Sequence, residues 1–182
     1  MSAPSQFFSS VREDLQRLTV PTGRRSGVSL WIRVFHPRYV PVLLVRLSSL
    51  CHRTGVLRPL AFLFSILNMV LFGLEVTPRC RIGGGLFLPH TVGTVIGARE
   101  IGRNATIFQG STLGARSADL NFNPGERPIL GDNVLVGAGA KILGGITIGH
   151  GAVIAANSLV LGDVPENALM MGVPAQDKRA NP

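Results

Sequence analysis

Residues 130–160 read LGDNVLVGAGAKILGGITIGHGAVIAANSLV, with an aliphatic residue at every sixth position: Leu130, Val136, Ile142, Ile148, Ile154 and Val160. In most of these hexads a Gly or another small residue follows the aliphatic one. A helix repeats every 3.6 residues and a strand every second, so neither alone accounts for a period of six. A chain wound into short strands does, because each aliphatic side chain then lands above its predecessor and the small residues permit the corners.

Upstream the same period runs through Val76, Ile82 and Leu88 and, after one extra residue, through Val95, Ile101, Ile107 and Leu113. The expected fold is therefore mainly β, a parallel β-helix preceded by an α-helical region. The composition agrees: 46% of the 182 residues are hydrophobic but only 6% aromatic, with 22 Gly. Stacked aliphatic rungs need few rings. Between Leu113 and Leu130 the ladder is broken by GARSADLNFNPGERPI, residues 114–129, which reads as a loop protruding from the coil and able to reach a neighbouring subunit.

The chain length suits one functional unit, divided here into a helical region (1–74), the β-helix with its inserted loop (75–176) and a short tail (177–182). Phe7, Phe8, Val11, Leu15 and Leu18 are spaced for an amphipathic helix, residues 20–29 (VPTGRRSGVS) for a linker, and residues 40–49 for a second helix broken from the next segment by Gly55 and Pro59. LAFLFSILNMVLFGL, residues 60–74, carries no charge. It is short for a bilayer span, which needs about 20 apolar residues. Two readings stay open: a helix buried under the β-helix or between subunits, or a monotopic element at the inner membrane surface.

The formal charge is +8, and the first 75 residues hold nine Arg against three acids. That basic face suits nucleic acid, an anionic membrane or phosphorylated ligands. No helix-turn-helix, zinc or RNA-binding signature accompanies the arginines, so nucleic acid is set aside. Cys51 and Cys80 suit two buried reduced thiols better than a disulfide framework, and no metal site is expected. The N-terminal stretch carries acids and no apolar core of a secretion signal, which points to a cytoplasmic protein.

The stretches LEVTPRCRIGGGLFLPHTVGTVIG (74–97), IFQGSTLG (107–114), LGDNVLVGAGAKILGGITIG (130–149) and MGVPA (171–175) resemble the serine O-acetyltransferase branch of the hexapeptide-repeat, left-handed β-helix acyltransferases. The resemblance covers roughly residues 60–175, and VREDLQRL (11–18) looks like the opening of those enzymes. It implies a homotrimer with acetyl-CoA as co-substrate in grooves between subunits. It also places His90, in LPHTVG, at the position of the general base and Glu75 at that of the acid that orients it. Such a pair suits acyl transfer, because imidazole titrates near neutrality and a carboxylate fixes its tautomer. His36, His52 and His150 have no such context.

On the cofactor side, Gly137, Ala138, Gly139 and Ala140 allow close approach of a pantetheine arm to the backbone. The resemblance puts Ala155, Ala156, Gly172, Val173 and Pro174 along the same groove, with Lys141, Lys178 and Arg179 as candidates for the nucleotide phosphates. The acceptor side departs from the family. Pro89 stands where the family has Asp before the catalytic His, and Glu126 and Arg127 stand where it has Arg-His before Pro128. Loss of that amino-acid clamp, and an apolar N-terminal region like that of colanic-acid-type polysaccharide acetyltransferases, lead to the expectation of a sugar hydroxyl as acceptor, on a free or lipid-linked saccharide of exopolysaccharide or capsule synthesis. The alternatives are a divergent serine O-acetyltransferase of cysteine synthesis and a non-catalytic hexapeptide scaffold.

Overall fold

The computed structural model describes residues 3–18, 34–119 and 121–180; the linker expected over 20–29 lies outside them. Among the described residues three helices come first: α1 (Ala3–Arg17), α2 (Val40–Arg53) and α3 (Arg58–Phe72). Fourteen short strands follow, from β1 (Leu74–Val76) through β3 (Thr94–Ile96), β6 (Thr112–Gly114), β9 (Lys141–Leu143) and β12 (Leu159–Val160) on one side of the coil to β13 (Leu169–Gly172) and β14 (Ala175–Asp177) at its end. The strands stack into three parallel sheets, one per side, and the sole antiparallel pair among them is β13 with β14. β14 thus runs into the segment read from sequence as the tail.

The register is that of a β-helix. Ile142 lies over Leu113 and under Val160, Leu130 lies between Ile101 and Ile148, and Val136 between Ile107 and Ile154. Successive partners above the loop are three hexads apart, so six residues form one side and three sides one coil. The ladder from Ile101 to Val160 is buried throughout. One rung differs from the sequence reading: Ile96 is fully buried, whereas Val95 stands outside it, half-buried. Eight positions rather than seven separate Leu88 from the next inward residue, and the surplus sits in the corner between them, Pro89–Gly93.

The inserted loop does not protrude. Arg116 donates to the carbonyls of Leu143 and Leu161, Arg127 to that of Gly97 (2.9 Å), and Arg79 donates to Asn121 O (2.8 Å). At Gly145 a Cβ would collide with Gly125 O, so the absence of a side chain there is what lets the loop lie flat. These backbone acceptors were invisible to a reading based on side-chain pattern.

The helical region is fastened to the coil by a buried ion pair. The Asp14 carboxylate accepts from Arg46 Nε and Nη2 (2.9 Å each) and from Leu86 N (2.9 Å), while Arg46 also donates to Ile82 O and Gly83 O (2.6 Å each). Every nitrogen of the guanidinium and both carboxylate oxygens are thereby used, which is the condition under which burying two charges is tolerable. α3 begins with Pro59 in its first turn and ends at Gly73, whose left-handed conformation (φ +61°) returns an N–H to Met69 O.

In the single chain α3 is not buried under the coil, which leaves of its readings a contact between subunits or a place at a membrane surface. Among its residues Ala61 and Asn68 are fully buried, and Phe62, Leu63, Ile66, Met69, Val70 and Leu71 are exposed. Among the described residues no helix is long and apolar enough to cross a membrane. Cys51 and Cys80 are both free and buried, and burial pushes the Cys80 thiol up to about 12.

Candidate active site

The corner that follows the third side of each coil forms a column up the molecule. Its steps are Pro89–Gly93, Phe108–Gly110, Gly137–Gly139 and Ala155–Asn157, linked by hydrogen bonds from Gly110 N to Val92 O, Gly139 N to Gln109 O and Asn157 N to Ala138 O. The lowest step is two residues longer than those above it, and the surplus carries His90 outward, where its side chain is exposed. The enlarged corner is pinned on both sides: Thr91 Oγ1 donates to Phe72 O (2.8 Å), and Gly93 N donates to Gly73 O (2.9 Å). The C-terminal end of α3 therefore braces the loop that presents His90.

The cofactor candidates continue that column. Gly137–Ala140 and Ala155–Ala156 occupy its next steps, and Gly172–Val173–Pro174 forms the hairpin above them, with Gly172 N donating to Ser158 Oγ (3.2 Å). A residue other than Gly at 137 would drive its Cβ to 2.5 Å from Ala156 N, so the close stacking of these corners depends on small residues. Lys141 does not offer a free ammonium, since its Nζ is bound to Gly110 O at 2.6 Å. Lys178 and Arg179 are exposed but leave the column: β14 runs back from the hairpin, so Lys178 N donates to Leu169 O and the Arg179 guanidinium reaches Asn167 O, at the corner that precedes the third side.

Glu75 is separated from His90. It sits in the middle of β1 with its side chain exposed, its backbone beside Val95. Among the described residues no hydrogen bond or ion pair joins Glu75 to His90. Glu75 instead lines a cleft of ≈ 390 Å³ together with His52, Phe62, Arg79, Asp119, Phe122 and Arg127. Glu75 and the predicted acceptor residue Arg127 thus line one cleft, and His90 is not among its lining residues.

Arg127 is a pin of the loop. It donates to Asp119 Oδ2 at 3.0 and 3.2 Å and to Asp119 O at 3.2 Å, and it stacks on Phe122 at 4.3 Å from the ring centroid. Desolvation would raise the Asp119 carboxyl, but the Asn123 amide and the Arg127 guanidinium outweigh it and hold the group below the usual carboxylate range. Pro89 is half-buried at the start of the enlarged corner, and Glu126 is exposed on the 3-10 turn Pro124–Glu126.

His52 is a cleft residue that the sequence did not single out. Its Nδ1 is buried without a partner, and burial, then the charges of Arg58 and Arg79, lower its pKa from the ordinary 6.5. No motif surrounds it in α2, so nothing in the sequence signals its place. His150 accepts from Asp132 N at 2.9 Å, a contact between neighbouring coils and remote from the cleft.

Comparison with known proteins bears on this arrangement. Residues 127–162 match the family model described as bacterial transferase hexapeptide (six repeats). The chain is 37% identical over 146 residues to the serine acetyltransferase of Helicobacter pylori strain J99, covering 80% of this chain and 83% of that one. The fold is similar to Neisseria gonorrhoeae serine acetyltransferase in complex with serine (TM-score 0.80, 30% identity, 95% of this chain and 69% of that one). It is also similar to a serine acetyltransferase in complex with CoA (TM-score 0.77, 29% identity, 95% and 70%). The chain spans about half the length of other curated relatives it matches, 47% and 55% in two of them.

These findings overturn the expectation of a sugar hydroxyl in polysaccharide synthesis. Relatives from 37% to 46% identical, and the structural neighbours alike, are serine acetyltransferases. The reading from Pro89 and Glu126 gave too much weight to single positions. Arg127 of the loop lies in the cleft with Glu75.

Proposed function

The chain belongs to the serine acetyltransferase family of hexapeptide-repeat proteins, and we propose that it is an acetyl-CoA-dependent O-acetyltransferase acting on the hydroxyl of serine. The observation that carries the reading is the column of small-residue corners with His90 exposed at its enlarged lower step. Coenzyme A lying along the column, with its nucleotide toward the Gly172–Pro174 hairpin, brings its thioester to the His90 end.

In the reaction His90 takes the proton of the serine hydroxyl as the oxygen attacks the thioester carbonyl. The tetrahedral intermediate expels the CoA thiolate, which receives that proton from the imidazolium, leaving O-acetylserine and free CoA. Glu75, which lines the cleft without bonding to His90 in the single chain, is assigned as the carboxylate that orients the imidazole when the acceptor is bound, and Arg127 as the loop's cation toward the amino acid. We assign the coil the left hand of this family and the protein a homotrimer in the cytoplasm. On a single chain the column is an open ridge, and a neighbour about a threefold axis closes it into a groove.

Release of free thiol from acetyl-CoA with serine as acceptor tests the reading. His90→Ala is expected to lower kcat by about 10²–10⁴-fold, and Glu75→Gln by less, because it acts through His90. Turnover unchanged in His90→Ala, or no serine-dependent thiol release by the unaltered protein, overturns it.

A further inference from the structure

α3 is built inside out. The stripe that faces the protein holds Ala61, Ser65 and Asn68 and is fixed by polar contacts: Ser48 Oγ donates to Ala61 O (2.8 Å), Ser65 Oγ to Val76 O (3.3 Å) and Asn68 Nδ2 to Pro41 O (2.9 Å). The opposite stripe holds Phe62, Leu63, Ile66, Met69 and Val70, between 48% and 71% exposed. A helix that rests on a water-soluble core has the reverse pattern. A row of large apolar side chains this continuous needs an apolar partner.

The charges around it select that partner. Between Leu15 and Leu74 the sequence has eight Arg and not one Asp, Glu or Lys. One of the eight, Arg46, is neutralised by Asp14; Arg58 opens α3, and Arg38 and Arg53 are exposed nearby in the chain. A second copy docked through the same face would bring two arginine-rich regions together without acids to offset them. An anionic surface attracts both features at once. The helix is about 22 Å long at 1.5 Å per residue, short of the ~30 Å hydrocarbon layer, which suits lying in the interface rather than crossing it.

We propose that α3 docks this protein peripherally on an anionic phospholipid bilayer, its Phe62–Ile66–Val70 stripe in the acyl boundary and its arginines among the headgroups. The exposed apolar surface continues from Val56 and Leu57 before the helix to Val92, whose Cα lies 3.3 Å from where a Cβ on Gly73 would stand. Val92 belongs to the corner that presents His90. Docking therefore puts the candidate catalytic corner beside the membrane surface. The proposal does not depend on the identity of the acceptor.

Co-sedimentation of the full chain with vesicles tests it, using pure phosphatidylcholine against a 70:30 mixture with phosphatidylglycerol. Binding to the anionic vesicles is expected, with loss of roughly tenfold or more in the triple variant Phe62→Ser, Ile66→Ser, Val70→Ser. Arg58→Gln should weaken binding less, and added salt should weaken it in all forms. Far-ultraviolet circular dichroism and a melting curve of the variants keep misfolding distinguishable. Absence of the full chain from anionic vesicles overturns the proposal, as does unchanged binding by a folded triple variant. A variant that alters subunit number in sedimentation velocity, with no vesicle binding by the parent, assigns the face to a second copy and likewise overturns it. Serine-dependent thiol release without vesicles separates this outcome from failure of the proposed activity.

Discussion

The coil from Ile101 to Met170 and the helix α3 obey opposite rules. In the coil every ladder side chain is aliphatic and buried, and the outward positions are mixed. In α3 the inward positions are small or polar and the outward ones large and apolar. One region is held by repetition, so that each rung covers its neighbours. The other is held by a few individual ties, chief among them Ser48–Ala61, Ser65–Val76 and Asn68–Pro41, and α2, on which it rests, is fastened in the same way by Asp14–Arg46. Stability in the first is spread over many contacts of similar size, whereas in the second it is concentrated in single polar residues.

The sharpest way to break that contrast is Arg46→Ala. It leaves Asp14 buried without its partner and is expected to cost about 3–5 kcal/mol, with amides of α1 and α2 losing hydrogen-exchange protection while those of residues 130–160 keep it. Equal loss in both regions would show that they unfold as one unit. Ile142→Ala, at the centre of the ladder, is expected to cost about 2–5 kcal/mol and to lower the denaturant midpoint of the whole coil.

Asn68→Ala removes the bond to Pro41 O from the inner stripe of α3, and a loss of about 1–3 kcal/mol in chemical denaturation is expected. The smallest effect concerns pH. Burial and the charges of Arg58 and Arg79 hold His52 below 6.5 in the folded state, so its neutral ring favours folding above that value. The contribution fades as pH falls from 6.5 through the lower folded pKa. His52→Gln should therefore show a shallower fall in Tm between 6.5 and about pH 5; an unchanged slope would mean the ring is not desolvated.

Much of the coil was legible because its constraint is periodic. Any residue that must stack on its counterpart one coil away declares itself by spacing, as Leu130, Val136 and Ile142 do. Reading failed where the period was locally changed. Counting one extra residue before Val95 put the wrong side chain inward, because nothing in PHTVG says how much of that segment the corner takes up. The same change is what lifts His90 away from the coil. The loop 114–129 was misread as protruding because its anchors are carbonyls of Gly97, Leu143 and Leu161, and backbone acceptors leave no trace in residue type. Glu75 and Arg127 meet in one cleft although 52 positions separate them, and the fold alone brings them there.

By itself the sequence determined the stacked coil and the small-residue corners, since these follow from local spacing and from the size of side chains. Tertiary structure decided which side of the charge-free helix faces outward, where the loop lies and that Glu75 shares a cleft with Arg127. In a run of fifteen uncharged residues the two polar side chains, Ser65 and Asn68, share one face, and nothing in the sequence says whether that face turns to water or to the protein. Its orientation is set by where Ser48, Pro41 and Val76 place their hydrogen-bonding groups, and those positions exist only once the coil has formed.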